Sequence, residues 1–112
     1  MLEISSQTLR RCDLVRVKGR VDSATTPQLK EALDAILNEG RFKIVLNLSQ
    51  VSFMSSAGLR LLIDTHKTCR RWNRGQLALA EISPHLKEVL ELAGLLNMFK
   101  IYNSEVEAVG SF

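Results

Sequence analysis

A chain of 112 residues is long enough to form one compact domain with its own hydrophobic core, and it is too short for two ordinary domains. Hydrophobic residues make up 46% and charged residues 24%, as in globular proteins, and no apolar run approaches the ~18 to 20 residues that a membrane span requires, so we expect no direct membrane insertion. The net charge of +3 comes without a nucleic-acid-reading motif and with only 5% aromatic residues, which argues against a nucleic-acid partner. Much of the excess lies between residues 60 and 74, where it favours a solvated helix face and leaves open a docking face for an acidic protein.

The N-terminal part of the chain predicts a β-hairpin. Residues 2–11 alternate weakly between apolar and polar side chains and residues 13–21 alternate more clearly, which indicates two strands joined by a turn at residues 11–13. The first four residues lack the positive and apolar regions of a secretory signal, and Cys12 and Cys69 lie far apart in unrelated contexts. We therefore expect a cytoplasmic protein with reduced thiols.

The next segment predicts the first helix. Pro27 suits the first helical position, where its missing N–H group costs nothing, and Thr25 or Thr26 would cap the helix. Gly40 would end the helix as a residue in the left-handed conformation. The apolar residues between these two signals fall on one stripe, which consists of Leu29, Ala32, Leu33, Ile36 and Leu37.

A buried strand and a second helix meet at two serines. The apolar run within residues 43–49 predicts a strand covered on both faces. Residues 57–72 have helical spacing, and residues 73–75 would end that helix. Ser55 and Ser56 lie at the joint, where a serine oxygen can accept a free N–H group of the first helical turn.

The second helix is predicted to be amphipathic. On its charged outer face, Arg60 and Asp64 have the spacing of an i,i+4 ion pair. Its inner stripe would consist of Leu59, Leu62, Ile63, His66 and Cys69.

The last third of the chain predicts a further strand and helix, followed by a short pair of elements. Residues 76–82 read as a buried strand, and Ser83 would cap a helix that ends at Gly94. A short strand at residues 101–102 would precede a short helix, because residues 104–107 fit a capping box. The inner stripe of the longer helix would consist of Leu86, Val89, Leu90 and Ala93.

The predicted order of elements is β, β, α, β, α, β, α, with a short strand and helix at the end. Strands and helices that alternate after an initial hairpin favour an α/β fold with a mixed sheet and helices packed against it. Connections between the parallel strands should be right-handed. Without a repeat or a linker, residues 1–112 are expected to form a single domain.

Three segments carry a resemblance to a known family. They are residues 17–22 with the following Ala24 and Pro27, residues 46–59, and residues 92–95 with 99–102. These segments resemble, in that order, the Gly-x-x-Asp segment, the phosphoacceptor segment and the C-terminal portion of the STAS domain. The resemblance covers nearly the whole chain. Within the family, the chain resembles specifically the stand-alone anti-sigma factor antagonists of bacteria.

The resemblance implies a STAS-like mixed sheet of four to five strands with helices packed mainly on one face. It also implies a phosphorylatable serine at the start of the second helix, which maps to Ser56, with Ser55 as the less favoured position. Well-known members have aspartate just before the acceptor, where this chain has Ser55. The partner-binding residues that the resemblance implies are Asp22, Ser55, Ser56, Ala57, Gly58 and Arg60.

The implied function is a protein-interaction switch without an enzymatic activity of its own. The unphosphorylated protein would bind an anti-sigma factor that is also a serine kinase, and phosphorylation would release it. A PP2C-type phosphatase would then remove the phosphate. The alternative is a cytosolic STAS subunit of a membrane transport complex, such as a lipid-transport ATPase, that is not regulated by phosphorylation.

No constellation typical of an enzyme or a metal site stands out in the sequence. Ser56 lacks His and Asp partners in a recognisable order, and the chain contains neither a P-loop nor a dinucleotide fingerprint. His66 and His85 are isolated from other ligand-type residues, so we expect neither a metal nor a cofactor. Cys69 reads as a small core residue on the inner helix stripe.

Overall fold

The computed structural model describes residues 2–71 and 75–112. The predicted helix end at residue 72, and most of the predicted stop at residues 73–75, therefore lie outside the described residues. The elements in chain order are β1 (Glu3–Thr8), β2 (Asp13–Val21), α1 (Thr26–Asn38), β3 (Lys43–Met54), α2 (Ser56–Arg71), β4 (Gln76–Ala80), α3 (Pro84–Leu92), β5 (Lys100–Tyr102) and α4 (Glu105–Gly110).

The five strands form one mixed sheet in the order β1-β2-β3-β4-β5. β1 and β2 are an antiparallel hairpin, and the pairs β2–β3, β3–β4 and β4–β5 are parallel. This arrangement confirms the mixed sheet of four to five strands. Each parallel pair is connected by a helix, because the chain must cross back over the sheet before it can add a parallel strand.

β3 is longer than the sequence predicts. It runs to Met54 and not only to residue 49, because residues 18–21 of β2 pair with residues 50–54. Two register shifts in this pairing let β3 bend while the pairing continues. The extension carries β3 to the residue before Ser55, so the serine pair follows the strand directly.

Helices cover the two faces of the sheet unequally. α1, α2 and α3 pack on one face, and their buried side chains belong to the larger core cluster with Val15, Ile44 and Leu79. The short α4 packs on the other face through Ala108, in a smaller cluster with Val45 and Ala78. This arrangement confirms the prediction that the helices pack mainly on one face of the sheet.

The inner stripe of α2 differs in phase from the prediction. Leu62 and Cys69 are buried as expected, but Leu59, Ile63 and His66 are only half-buried. The buried stripe instead consists of Gly58, Leu61, Leu62, Thr65 and Cys69. The reason is that α2 packs against α1 as well as the sheet, and this second contact turns the helix toward Leu61 and Thr65.

Two smaller expectations about the helices were also wrong. Arg60 and Asp64 form no ion pair in the described part of the chain, whereas Lys30 and Asp34 pair at the same spacing on α1. Ala93 is exposed, because it is the C-terminal cap of α3 and not part of its inner stripe.

The predicted helix signals are confirmed at several other positions. Gly40 and Gly94 have positive φ angles, +79° and +73°, after the ends of α1 and α3. The oxygens of Ser83 and Ser104 accept backbone N–H groups of α3 and α4 at 3.1 Å. Within residues 2–71 and 75–112, no helix has the length and apolar character that crossing a membrane requires.

Candidate functional site

The candidate site lies at the carboxyl edge of the parallel strands. β2 ends at Val21 and β3 ends at Met54, and each strand leads directly into the turn before a helix. The backbone N–H of Ser55 donates to the carbonyl oxygen of Val21 at 2.8 Å. This bond connects the two turns, so Asp22 and Ser56, the residues that follow the bonded pair, lie on the same edge of the sheet.

Ser55 is the N-cap of α2. Its Oγ accepts the backbone N–H of Gly58 at 3.3 Å, and its carbonyl oxygen accepts the backbone N–H of Leu59 at 3.0 Å. The side chain is half-buried. The hydroxyl that the sequence offered as the second choice for phosphorylation is therefore used in holding the first turn of the helix.

Ser56 is the first residue of α2, and it is exposed. N–H groups in the first turn of a helix have no acceptor within the helix, and they give this end a partial positive charge. Arg60 lies one turn further along the same helix and is also exposed. An anionic group on Ser56 would therefore meet free N–H groups and a guanidinium with i,i+4 spacing.

Asp22 organises the turn before α1. Its Oδ1 accepts the backbone N–H groups of Ala24 and Thr25, both at 3.0 Å. The hydrogen bond from the Thr25 backbone lowers the pKa of Asp22 most, with the Thr25 hydroxyl and the Ala24 N–H group also contributing. The carboxylate therefore remains ionised at neutral pH and places a fixed negative charge at this edge of the sheet.

Gly58 contributes to the packing of the fold and does not lie on the partner-binding surface, where it was predicted. It is buried, and a Cβ atom built on it would lie 2.4 Å from Met54 Sδ and 2.8 Å from Val21 Cγ1. The glycine is thus required for the close packing of α2 on the ends of β2 and β3. Ala57, which is half-buried, and the exposed Ser56 and Arg60 remain on the predicted surface.

Two residues at this edge were missed by the sequence analysis. Arg20 and Phe53 are partners in the β2–β3 register, and the Arg20 guanidinium lies 4.4 Å from the centroid of the Phe53 ring. The Arg20 Nε also lies 4.0 Å from Asp22 Oδ2. The sequence signal for this contact was the aromatic Phe53 among polar residues at the end of a strand. Its partner Arg20 becomes evident only from the pairing of β2 with β3.

Both cysteine thiols have raised pKa values. Burial raises the pKa of Cys69 to about 12, and burial together with the nearby Asp13 carboxylate raises the pKa of Cys12. Both cysteines are buried free thiols. Within residues 2–71 and 75–112, no group of three or more His, Cys, Asp or Glu residues has an arrangement that could hold a metal ion.

The fold and the site together define a small α/β domain that presents a capped, serine-bearing helix N-terminus at one edge of its sheet. The profile of the STAS domain matches residues 3–108, and the chain belongs to this family. The family that the sequence resembles is thereby confirmed.

Relatives of known name agree with this assignment. The chain is 38% identical over 96 residues to BtrV of Bordetella bronchiseptica, which is named as an anti-sigma factor antagonist, and the match covers 86% of this chain and 82% of BtrV. An anti-sigma factor antagonist from Mycobacterium paratuberculosis superposes with a TM-score of 0.89 at 23% identity, covering 99% of this chain and 93% of that one. The Bacillus cell fate determinant SpoIIAA, in its phosphorylated form, superposes with a TM-score of 0.77 at 22% identity, covering 97% of this chain and 98% of that one.

Proposed function

We propose that this protein is an anti-sigma factor antagonist that binds its anti-sigma factor while Ser56 is unphosphorylated and is released when Ser56 carries a phosphate. The observation that carries the proposal is the exposed Ser56 hydroxyl at the first position of α2, beside a Ser55 hydroxyl that caps the helix. The name of the Bordetella relative supports the partner class. The phosphorylated form of the structurally similar Bacillus protein supports the modification.

Phosphorylation at Ser56 is compatible with the fold. The kinase would transfer the γ-phosphoryl group of ATP to Ser56 Oγ, its own base would take the hydroxyl proton, and ADP would leave. The product carries about −1.5 to −2 charges at neutral pH. These charges would lie at the positive end of α2, which is a favourable position for an anion. We therefore expect the modified domain to remain folded.

The effect of the phosphate would be on the contact surface. An unmodified Ser56 leaves the exposed Arg60 guanidinium free to bind a carboxylate of the partner. Phosphoserine at position 56 would compete for Arg60 at i,i+4 spacing and would add bulk at a close contact. A hundred-fold loss of affinity corresponds to only about 2.7 kcal/mol, which one displaced, buried charge pair can supply.

The chemistry of the switch would belong to the partners. The anti-sigma factor is itself the serine kinase, and a PP2C-type phosphatase hydrolyses the phosphoserine and restores binding. The chain acts as substrate and ligand and not as an enzyme. Asp22, with its fixed carboxylate near Ser56, contributes to the surface that these partners recognise.

The test is phosphorylation by the serine kinase of the anti-sigma type that is encoded nearest to this gene, with ATP, followed by mass mapping. Ser55→Asn is the matched control, because asparagine also caps helices but cannot take the phosphate. We expect one phosphate on the wild type and on Ser55→Asn, and none on Ser56→Ala. Phosphate on Ser55, or undiminished labelling of Ser56→Ala, would overturn the assignment.

The same preparation separates the proposal from the transport alternative. Affinity purification of the tagged full chain should recover the kinase-type anti-sigma factor, and Ser56→Asp should recover less of it. Recovery of a transporter ATPase in equal amounts with both variants would favour the transport complex.

A further inference from the structure

The pole of the molecule opposite Ser56 is strongly basic. A cavity of about 370 Å³ lies at the amino ends of β2 and β3, between the β1–β2 turn and the start of β3. Its lining includes four cationic residues, Arg10, Arg11, Arg41 and Lys43, and one carboxylate, Asp13. Four positive charges and one negative charge give +3, which equals the net charge of the whole chain, so the remaining residues sum to zero.

The carboxylate in this cavity does not neutralise the outer cations. Asp13 is only 2% exposed and is paired with Arg41. Arg41 Nη2 also donates to the carbonyl oxygen of Leu9 at 2.9 Å, so this guanidinium holds the β1–β2 turn in place. Arg10 and Lys43 are exposed, and neither forms an ion pair with another residue of the described chain. Their charges are available to a ligand.

The basic surface continues along the same edge of the sheet. A second cavity of about 430 Å³ lies at the amino ends of β4 and β5. Its lining includes Arg70 and Lys100 together with the carboxamides of Gln76 and Asn97, and it includes no acidic residue. Two neighbouring cavities at one pole are thus both lined by hydrogen-bond donors and cations.

We propose that this basic pole is a second docking surface, which binds an acidic segment of a protein partner. Aspartate and glutamate carboxylates would enter the first cavity and pair with Arg10 and Lys43. Guanidinium groups match carboxylates in a two-bond geometry, and such charge-assisted bonds are stronger than neutral ones. A cavity of this volume can also enclose a side chain, which a flat patch of solvated cations cannot do.

The apolar residues argue for a protein segment over the other polyanions. The exposed large hydrophobic side chains in the described chain are Phe53, Leu92, Met98 and Val106; none lines the first cavity, and Met98 lines the second. A single-stranded nucleic acid that is bound without base readout depends on exposed aromatic rings for stacking. An amphipathic membrane anchor depends on apolar side chains that enter the lipid. An acidic peptide needs neither of these.

The basic pole is electrostatically independent of the phosphorylation site. Lys43 begins β3 and Met54 ends it, two residues before Ser56. β3 runs between the two surfaces across a molecule whose longest dimension is 30 Å, so their separation is limited to about that length, roughly three to four times the ~8 Å Debye length of physiological salt. A partner at the basic pole would therefore stay bound while the other pole changes its phosphorylation state.

The test uses the full chain and a fluorescein-labelled octapeptide of alternating glutamate and serine, followed by fluorescence anisotropy. An octapeptide with glutamine in place of glutamate is the ligand control. Arg10→Glu with Lys43→Glu reverses two charges in the cavity and keeps the Asp13–Arg41 pair. Lys67→Glu with Lys87→Glu reverses two exposed charges outside both cavities and is the matched protein control.

We expect the wild type to bind the glutamate peptide and to prefer it over the glutamine peptide by at least ~10-fold, about 1.4 kcal/mol. The cavity variant should lose ~10-fold or more, and the control variant and Ser56→Asp should stay within about 2-fold. If the double charge reversal does not fold, the neutral variant Arg10→Gln with Lys43→Gln takes its place, and it should also bind the glutamate peptide more weakly than the wild type. Equal losses in the cavity and control variants would overturn the proposal. So would tighter binding of phosphatidylserine vesicles or duplex DNA through the same cavity residues.

Discussion

The backbone N–H of Ser55 and the carbonyl oxygen of Val21 are joined at 2.8 Å, across the end of the β2–β3 ladder. The bond fixes the first turn of α2 to the strand that precedes the Asp22 turn. Because Asp22 holds its own turn through two backbone N–H groups, both parts of the site are rigid before a partner arrives. A modification of Ser56 would therefore change the chemistry of a fixed surface and not the fold beneath it.

The two serines should differ in their effect on stability. Ser55→Ala removes the acceptor of the Gly58 N–H group and should lower the free energy of unfolding by about 0.5–2 kcal/mol. Ser56→Ala removes only an exposed hydroxyl and should change it by less than about 0.5 kcal/mol. Urea denaturation followed by circular dichroism measures both, and equal losses would contradict the capping assignment.

Gly58 should be intolerant of a side chain. Gly58→Ala places a methyl group against Met54 and Val21 and should cost about 1–3 kcal/mol of unfolding free energy. Gly110→Ala, in the last position of α4, meets nothing within 4 Å and is the matched control. That control should be neutral or slightly stabilising, since alanine is the better helix former. A neutral Gly58→Ala would show that the packing there is looser than described.

Stability should depend on pH through Glu105, which connects α4 to the sheet. Arg16 donates two hydrogen bonds to this carboxylate, at 2.6 and 2.9 Å, and Asn47 donates one at 2.7 Å. The Arg16 hydrogen bond, then that of Asn47, lowers the pKa of Glu105, against the opposing effect of burial. A carboxylate whose pKa is lower in the folded state stabilises the fold above its unfolded pKa of about 4.3, and this contribution is lost as the pH falls through the folded value.

Glu105→Gln should therefore destabilise the protein at pH 7, and the difference from the wild type should shrink toward pH 3. Urea denaturation at several pH values measures it. Glu91→Gln, at an exposed position on α3, is the control and should change stability little at either pH. A Glu105→Gln deficit that stays constant with pH would exclude the ion pair as its cause.

Neither cysteine should react in the native protein. Burial raises the pKa of Cys69 to about 12, and the pKa of Cys12 is also raised, so both remain protonated thiols at pH 8. Treatment with a thiol-specific disulfide reagent should release no colour from the native protein and two equivalents in concentrated urea. Rapid reaction of one thiol in the native state would show that its segment opens.

The fold was largely predictable from the sequence because its signals are local. The hairpin, the helix caps at Ser83 and Ser104 and the glycines at helix ends each depend on a few neighbouring residues. The extension of β3 was not predictable, because residues 50–54 are mixed in polarity and become a strand only through pairing with β2. The phase of α2 depended on its contact with α1, which buries Thr65, and on the close approach of Gly58 to the ends of β2 and β3.

The site was predictable in part. Family resemblance pointed to Ser56, but only the coordinates separate its exposed hydroxyl from the capping hydroxyl of Ser55. The Arg20–Phe53 contact joins residues from two strands that are distant in sequence. The basic cavity likewise brings the β1–β2 turn against residues about thirty positions later, which no local pattern reveals.

The most direct test of the account is the affinity of the anti-sigma factor for protein with phosphoserine incorporated at position 56 during translation, measured by isothermal titration calorimetry. Phosphoserine at position 6, on the exposed β1 strand, is the control for added charge. We expect the phosphate at position 56 to weaken binding by about 100-fold or more, with an unchanged midpoint of thermal unfolding, and the control to bind like the unmodified protein. Equal affinity of the unmodified protein and the protein with phosphoserine at position 56 would contradict the central claim.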